Sequence, residues 1–209
     1  MENSPELQAI SNASTSELML ICTAAAERGA SFCRALGTSE LLTWVDASLE
    51  LAWAEASGES VQDACAEALD ELEMEPQEGE DDSSRPEFYL TQAVGLVGNA
   101  LANSLRPSAA KTEMSINTIR SLLSMIDFKL GGERPVVVKY GTELPPPGPL
   151  VQMEIDAERR VISLFTQGEV ANQDEVIASA VSARASSGEF ATHLARFIGE
   201  FSKMSHWEI

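Results

Sequence analysis

The chain has 209 residues, 44% of them hydrophobic and 22% charged, and its 33 acidic side chains against 14 basic ones give a net charge of -19. That is enough apolar material for a sizeable core in one large domain or two small ones, and the negative field argues against nucleic acid or an anionic membrane surface and for a basic partner. No apolar run is long enough to span a bilayer, and Met1-Glu2-Asn3-Ser4-Pro5-Glu6 lacks the basic start and apolar stretch of a secretory signal, so the expectation is a cytoplasmic protein.

Residues 1–13 read as a polar lead-in or a short first helix. Ser14 with Glu17 three residues later is a capping box, opening a helix from Leu18 to about Leu36 in which Gly29 is a weak point. Gly37-Thr38-Ser39-Glu40 stops it and caps a second, Leu41 to about Ala56, with Leu42, Val45, Leu49, Ala52 and Trp53 on one stripe. After Gly58, Ser60 is the expected cap of a third helix, Val61 to Met74. Pro76 to Arg85 contains no hydrophobic residue and reads as an exposed loop. Proline at the first turn then starts a helix from Pro86 to about Ser104, and a fifth runs from about Ala109 to Leu130. The broad apolar face of this fifth helix permits a homodimer.

The character changes at Gly131-Gly132. Val136 to Tyr140 is β-branched and strand-like, and Leu144-Pro145-Pro146-Pro147-Gly148-Pro149 reads as a rigid connection. Leu150 to Ile155 and Arg160 to Phe165 alternate apolar with polar around a turn at Asp156–Arg159, the pattern of an antiparallel β-hairpin. Two helices follow, about Asn172 to Ala185 and Gly188 to Met204. The expected fold class is therefore mainly α: a helical bundle over 1–130 and a small α+β region over 131–209, packed on the bundle and carrying the hairpin and two C-terminal helices.

Residues 1–130 hold 22 of the acids against 7 bases, and residues 131–209 hold 11 against 7. The densest stretch has nine acids and no base: Glu67, Asp70, Glu71, Glu73, Glu75, Glu78, Glu80, Asp81 and Asp82. Like charges at helical spacing repel one another, so this face is either a solubilising surface or a docking site for a basic protein. Trp44, Trp53 and Trp207 are candidate anchors, with Trp44 and Trp53 better placed for the core.

Glu27-Arg28 followed by Phe32-Cys33, then Leu49-Glu50-Leu51-Ala52-Trp53-Ala54-Glu55, and later the helix pair around Ala93–Leu101 and Lys111–Leu122, resemble the bacterial YjaG-like family of unknown function. The resemblance spans about residues 15–130. It implies an all-helical cytoplasmic fold there and brings no catalytic residues with it.

Nucleophilic catalysis needs a base beside the nucleophile, and the chain has two histidines, His193 and His206, in no recognisable constellation. Cys22, Cys33 and Cys65 have no metal-ligand spacing and read as buried thiols in a reducing compartment. Glu78-Gly79-Glu80-Asp81-Asp82 lacks the ligand spacing of a calcium loop, and Gly95 and Gly98 lie inside a helix rather than a phosphate loop. Glu27 and Arg28 read as a buried structural pair. No catalytic residue, metal site or cofactor is expected. The function expected is a non-enzymatic acidic binding protein, an immunity protein or inhibitor that neutralises a basic toxin, such as a nuclease, by occluding its active site. Two alternatives of other classes are a secretion chaperone or adaptor and an enzyme of unrecognised type.

Overall fold

A computed structural model describes residues 5–72, 82–132, 145–165 and 172–207. Among them are nine helices: α1 (Pro5–Asn12), α2 (Thr15–Gly29), α3 (Ser31–Leu36), α4 (Ser39–Ala56), α5 (Gln62–Asp70), α6 (Pro86–Leu105), α7 (Ala109–Leu130), α8 (Pro149–Ser163) and α9 (Gln173–Met204). Helix α2 runs through the middle. It is buried from Leu20 to Gly29 and is packed by α4, α6, α7, α8 and α9. Its alanines, Ala24, Ala25 and Ala26, let these neighbours approach on several sides at once. The capping box at Ser14 and Glu17 is present.

The helix expected from Leu18 to Leu36 divides in two. An added Cβ at Gly29 would lie 2.4 Å from Leu96 Cδ1 on α6, so the two helices meet closely there and Leu96 would have to shift to admit a side chain. The Ser31 hydroxyl then donates to the Arg28 carbonyl at 2.7 Å, satisfying an acceptor freed at the end of α2.

The expected α+β region with its hairpin is overturned. Leu150–Ile155, the proposed turn Asp156–Arg159 and most of Arg160–Phe165 form the single helix α8. Its buried positions are Leu150, Glu154, Ala157, Glu158 and Val161, which is helical spacing. Two of them are glutamates, so the inward face does not show as apolar and the remaining residues mimic alternation. The local N-cap, Gly148, has no side chain to offer. Asp127 on α7 caps α8 instead, accepting from the amides of Leu150 at 3.1 Å and Val151 at 3.0 Å. The strand expected at Val136–Tyr140 lies outside the described residues.

The two C-terminal helices are also one. Helix α9 runs through Ser186-Ser187-Gly188 without a break, because Gly188 sits where an added Cβ would meet nothing within 4 Å and nothing there requires a turn. Ala180, Ala183, Ser187, Ala191, Leu194, Ile198 and Phe201 form its buried stripe. Of these, Ala180, Ala183, Leu194, Ile198 and Phe201 join Leu150 and Val161 of α8 in the same core as Phe32, Trp53, Tyr89, Leu101, Ile119 and Leu123. Trp207 closes the end of the molecule, 5.1 Å from Tyr89 and 5.2 Å from Phe201 between ring centres, with its Nε1 donating to the Ser84 carbonyl at 2.7 Å.

Candidate acidic groove between α4 and α5

Helix α5 is short, and neither its N-cap Val61 nor Ser60 caps it. Glu55, near the end of α4, does so from outside. Its carboxylate accepts from the Val61 amide at 3.0 Å and the Gln62 amide nitrogen Nε2 at 3.1 Å. Cys65 is buried, and Leu69 and Leu72 pack against Gly98 on α6. The opposite side of α5 is left facing outward beside α4, held there by Trp44, whose Nε1 donates to the Ala68 carbonyl at 3.3 Å.

Between the two helices lies an open groove of about 540 Å³. Helix α4 turns Glu40, Thr43, Trp44, Ala47, Ser48 and Leu51 towards it, at steps of three and four residues. Helix α5 contributes Ala64, Glu67, Ala68 and Glu71 at the same steps. Small side chains make the floor, Trp44 and Leu51 give it apolar walls, and three carboxylates stand on it with no Lys or Arg in the lining.

The electrostatic contrast with the other side of α4 is sharp. There Asp46 is 3.4 Å from Arg34, which also meets Glu27 at 2.8 Å, and Glu50 is bonded to Arg184 on α9. Among the described residues, Glu40, Glu67 and Glu71 have no such partner. Carboxylates along one groove with no cation in its lining make it negative, and opposite charge on a ligand is attracted to it.

Of the nine acids singled out in the sequence, the structure brings Glu67 and Glu71 into this groove. Asp70 is exposed on α5 outside the lining. Asp82 belongs to the turn before α6, where the Ser84 amide donates to it at 2.8 Å and holds its carboxyl below the usual range. Glu73, Glu75, Glu78, Glu80 and Asp81 lie outside the described residues. Sequence reasoning missed Glu40, which comes from a different helix. Trp44, a candidate anchor held better placed for the core, is half-buried: it packs against the core and also lines the groove. The only available signal was the run Glu40, Trp44, Ala47, Ser48, Leu51 on one face of α4, distinct from its core stripe.

A second polar constellation is enclosed. Glu27 and Arg28 do not pair with each other. Each ties α2 to another element: Glu27 accepts from Trp53 Nε1 at 3.0 Å, and Arg28 forks onto Glu154 at 2.6–2.9 Å and reaches Ser187 at 3.4 Å. One turn along α8, Glu158 is gripped by Arg120, and Glu6 of α1 receives Arg159 at 2.7 Å. Burial raises the Glu158 carboxyl to about 7; the hydrogen bond from Arg120 works against this and the charge of Glu154 adds to it. With Arg28, Glu154 and Glu158 at most 1% exposed, this network fastens helices and is closed to a substrate.

The groups considered for nucleophilic chemistry are dispersed. Cys22, Cys33 and Cys65 are free and buried, and burial pushes the first two thiols up to about 11 and about 12. His193 sits on α9 with its ring edge on Phe197, and His206 follows the end of α9. Among the described residues, no group of three His, Cys, Asp or Glu side chains is placed to hold a metal ion, and no helix is long and apolar enough to cross a membrane. The chain matches no protein-family model, no curated protein and no solved structure.

Proposed function

We propose that this chain is a non-catalytic binding protein that captures a basic protein through the groove between α4 and α5. The observation that carries the reading is the set of carboxylates, Glu40, Glu67 and Glu71, that have no cationic partner among the described residues and stand around an apolar slot, while Asp46 and Glu50 on the other side of α4 are matched by arginines. Opposed charge speeds encounter and selects partners, and the slot gives them something to desolvate. A basic toxin such as a nuclease fits this chemistry, since the cations that receive substrate phosphates are the ones such a surface would occupy. The chain then acts as an immunity protein or inhibitor by occlusion.

The test is affinity capture with the full chain and with a Glu40→Lys/Glu67→Lys/Glu71→Lys variant as bait, followed by assay of the captured protein. A basic protein held at low salt, released at high salt, absent from the variant and inhibited by the chain supports the proposal. Equal capture by both baits removes it.

A second reading, an adaptor that grips a partner through apolar contacts, draws on α7. Met114, Phe128 and Leu130 are exposed there, and Met114 also lines a groove with Phe88 of α6 and Met125. Capture on that face would resist salt.

A further inference from the structure

We infer that the occupant of the groove between α4 and α5 is one amphipathic α-helix of the partner, with Lys or Arg flanking its apolar stripe. This rests on the reading of the chain as a binder of a basic protein, and it names what that protein presents. From Glu40 to Leu51 the lining covers about 16 Å along α4, the length of about three helical turns. Both walls are helices with lining residues every three or four positions. A third helix can lay its own i, i+3, i+4, i+7 ridge between them.

The floor is cut for such a ridge. Ala47, Ser48, Ala64 and Ala68 leave room for bulky side chains to descend between Trp44 and Leu51. An extended segment has no equivalent seat, because strand addition needs an open sheet edge and the described residues form no strand. The carboxylates stand above this floor, on α4 at Glu40 and on α5 at Glu67 and Glu71, so cations on either flank of the incoming helix meet one.

Ser48 supplies an independent sign. It lines the groove, is 1% exposed, and its Oγ has no hydrogen-bond partner among the described residues. Buried hydroxyls are seldom left this way. Among the described residues it is the one unsatisfied buried hydroxyl of the lining, and it lies at the floor on which the helix sits.

The experiment titrates the isotope-labelled full chain with a leucine–lysine peptide of about five turns, its leucines at helical spacing, and with an isomer of the same composition whose spacing is scrambled. The patterned peptide is expected to bind at least about tenfold more tightly. It should shift the amides of Ala47, Ser48, Ala64 and Ala68 and become helical in circular dichroism. Ala47→Phe fills the slot at an exposed helical position, so it should abolish the preference while thermal melting shows the fold intact. Equal affinity for the two peptides overturns the helix and leaves the acidic binder standing. Shifts confined to α6 and α7, or a preference that survives Ala47→Phe, also overturn it. If neither peptide binds, the inference falls, and the capture experiment decides separately whether the chain binds a basic protein.

Discussion

Arg28 on α2 and Glu154 on α8 lie 126 residues apart and form a forked ion pair in which the arginine is 1% exposed and the glutamate not at all. Removing one partner of such a pair leaves an uncompensated buried charge, at a cost of about 3–5 kcal/mol. Glu154→Ala and Arg28→Ala are each expected to lower the unfolding free energy from urea titration by that order. Arg28→Met/Glu154→Met should recover most of the loss, because an apolar pair of similar volume needs no counter-charge. A double-mutant cycle checks it: strictly additive losses would contradict the pairing.

Glu158 gives stability a pH dependence of unusual sign. Its carboxyl is raised by burial from an ordinary 4.5 to about 7, so between those values the unfolded chain releases a proton that the folded chain keeps. The stability this group contributes is complete below about 4.5 and is lost as pH rises through 7, with a slope of at most about 1.4 kcal/mol per pH unit. Glu158→Gln should lose that slope, so the difference between the two proteins' unfolding free energies, measured by urea titration at several pH values, should itself fall with that slope between about 4.5 and 7. An unchanged slope would place the titrating group elsewhere.

Two helices receive their caps from a preceding helix, one 23 residues upstream and one six. Asp127 closes the start of α8 and Glu55 the start of α5. Asp127→Ala and Glu55→Ala are each expected to cost about 1 kcal/mol. Glu55→Ala should also speed amide exchange in α5 alone, which is the wall of the groove that carries Glu67 and Glu71.

Caps of this kind explain where the sequence was legible. The start of α2 was readable because Ser14 and Glu17 are local, and α6 and α7 because their inward faces are apolar. Helix α8 hid behind Glu154 and Glu158, polar residues on its inward face, and behind a cap 23 residues upstream of Leu150. Gly188 resembled a break only because sequence does not say that its surroundings are open. At the groove, Glu67 and Glu71 announced themselves by charge. Glu40 and Ser48 did not, since only the packing of α4 beside α5 brings them there.

Gly29 is a contact point rather than a hinge. Gly29→Ala puts a methyl against Leu96, and overpacking of this kind costs about 1–3 kcal/mol. Pairing it with Leu96→Ala should soften the clash, so the double variant is expected to melt higher than the sum of the single losses implies.

The thiols are expected to be inert in the folded chain. With Cys22 and Cys33 pushed up to about 11 and about 12, and thiolate being the reactive form, iodoacetamide at mildly alkaline pH should leave all three cysteines unmodified. The same reagent in urea should label each of them. Mass spectrometry of the intact protein distinguishes the outcomes.

The buried ion pairs also set a timetable for synthesis. Arg28 and Arg120 are made early in the chain, and the glutamates that balance them, at 154 and 158, come after both. While the ribosome is still adding the segment before α8, the central helix carries a cation that its neighbours cannot enclose without leaving it bare. Closure of the core around α2 is therefore expected to wait for α8, which brings both glutamates.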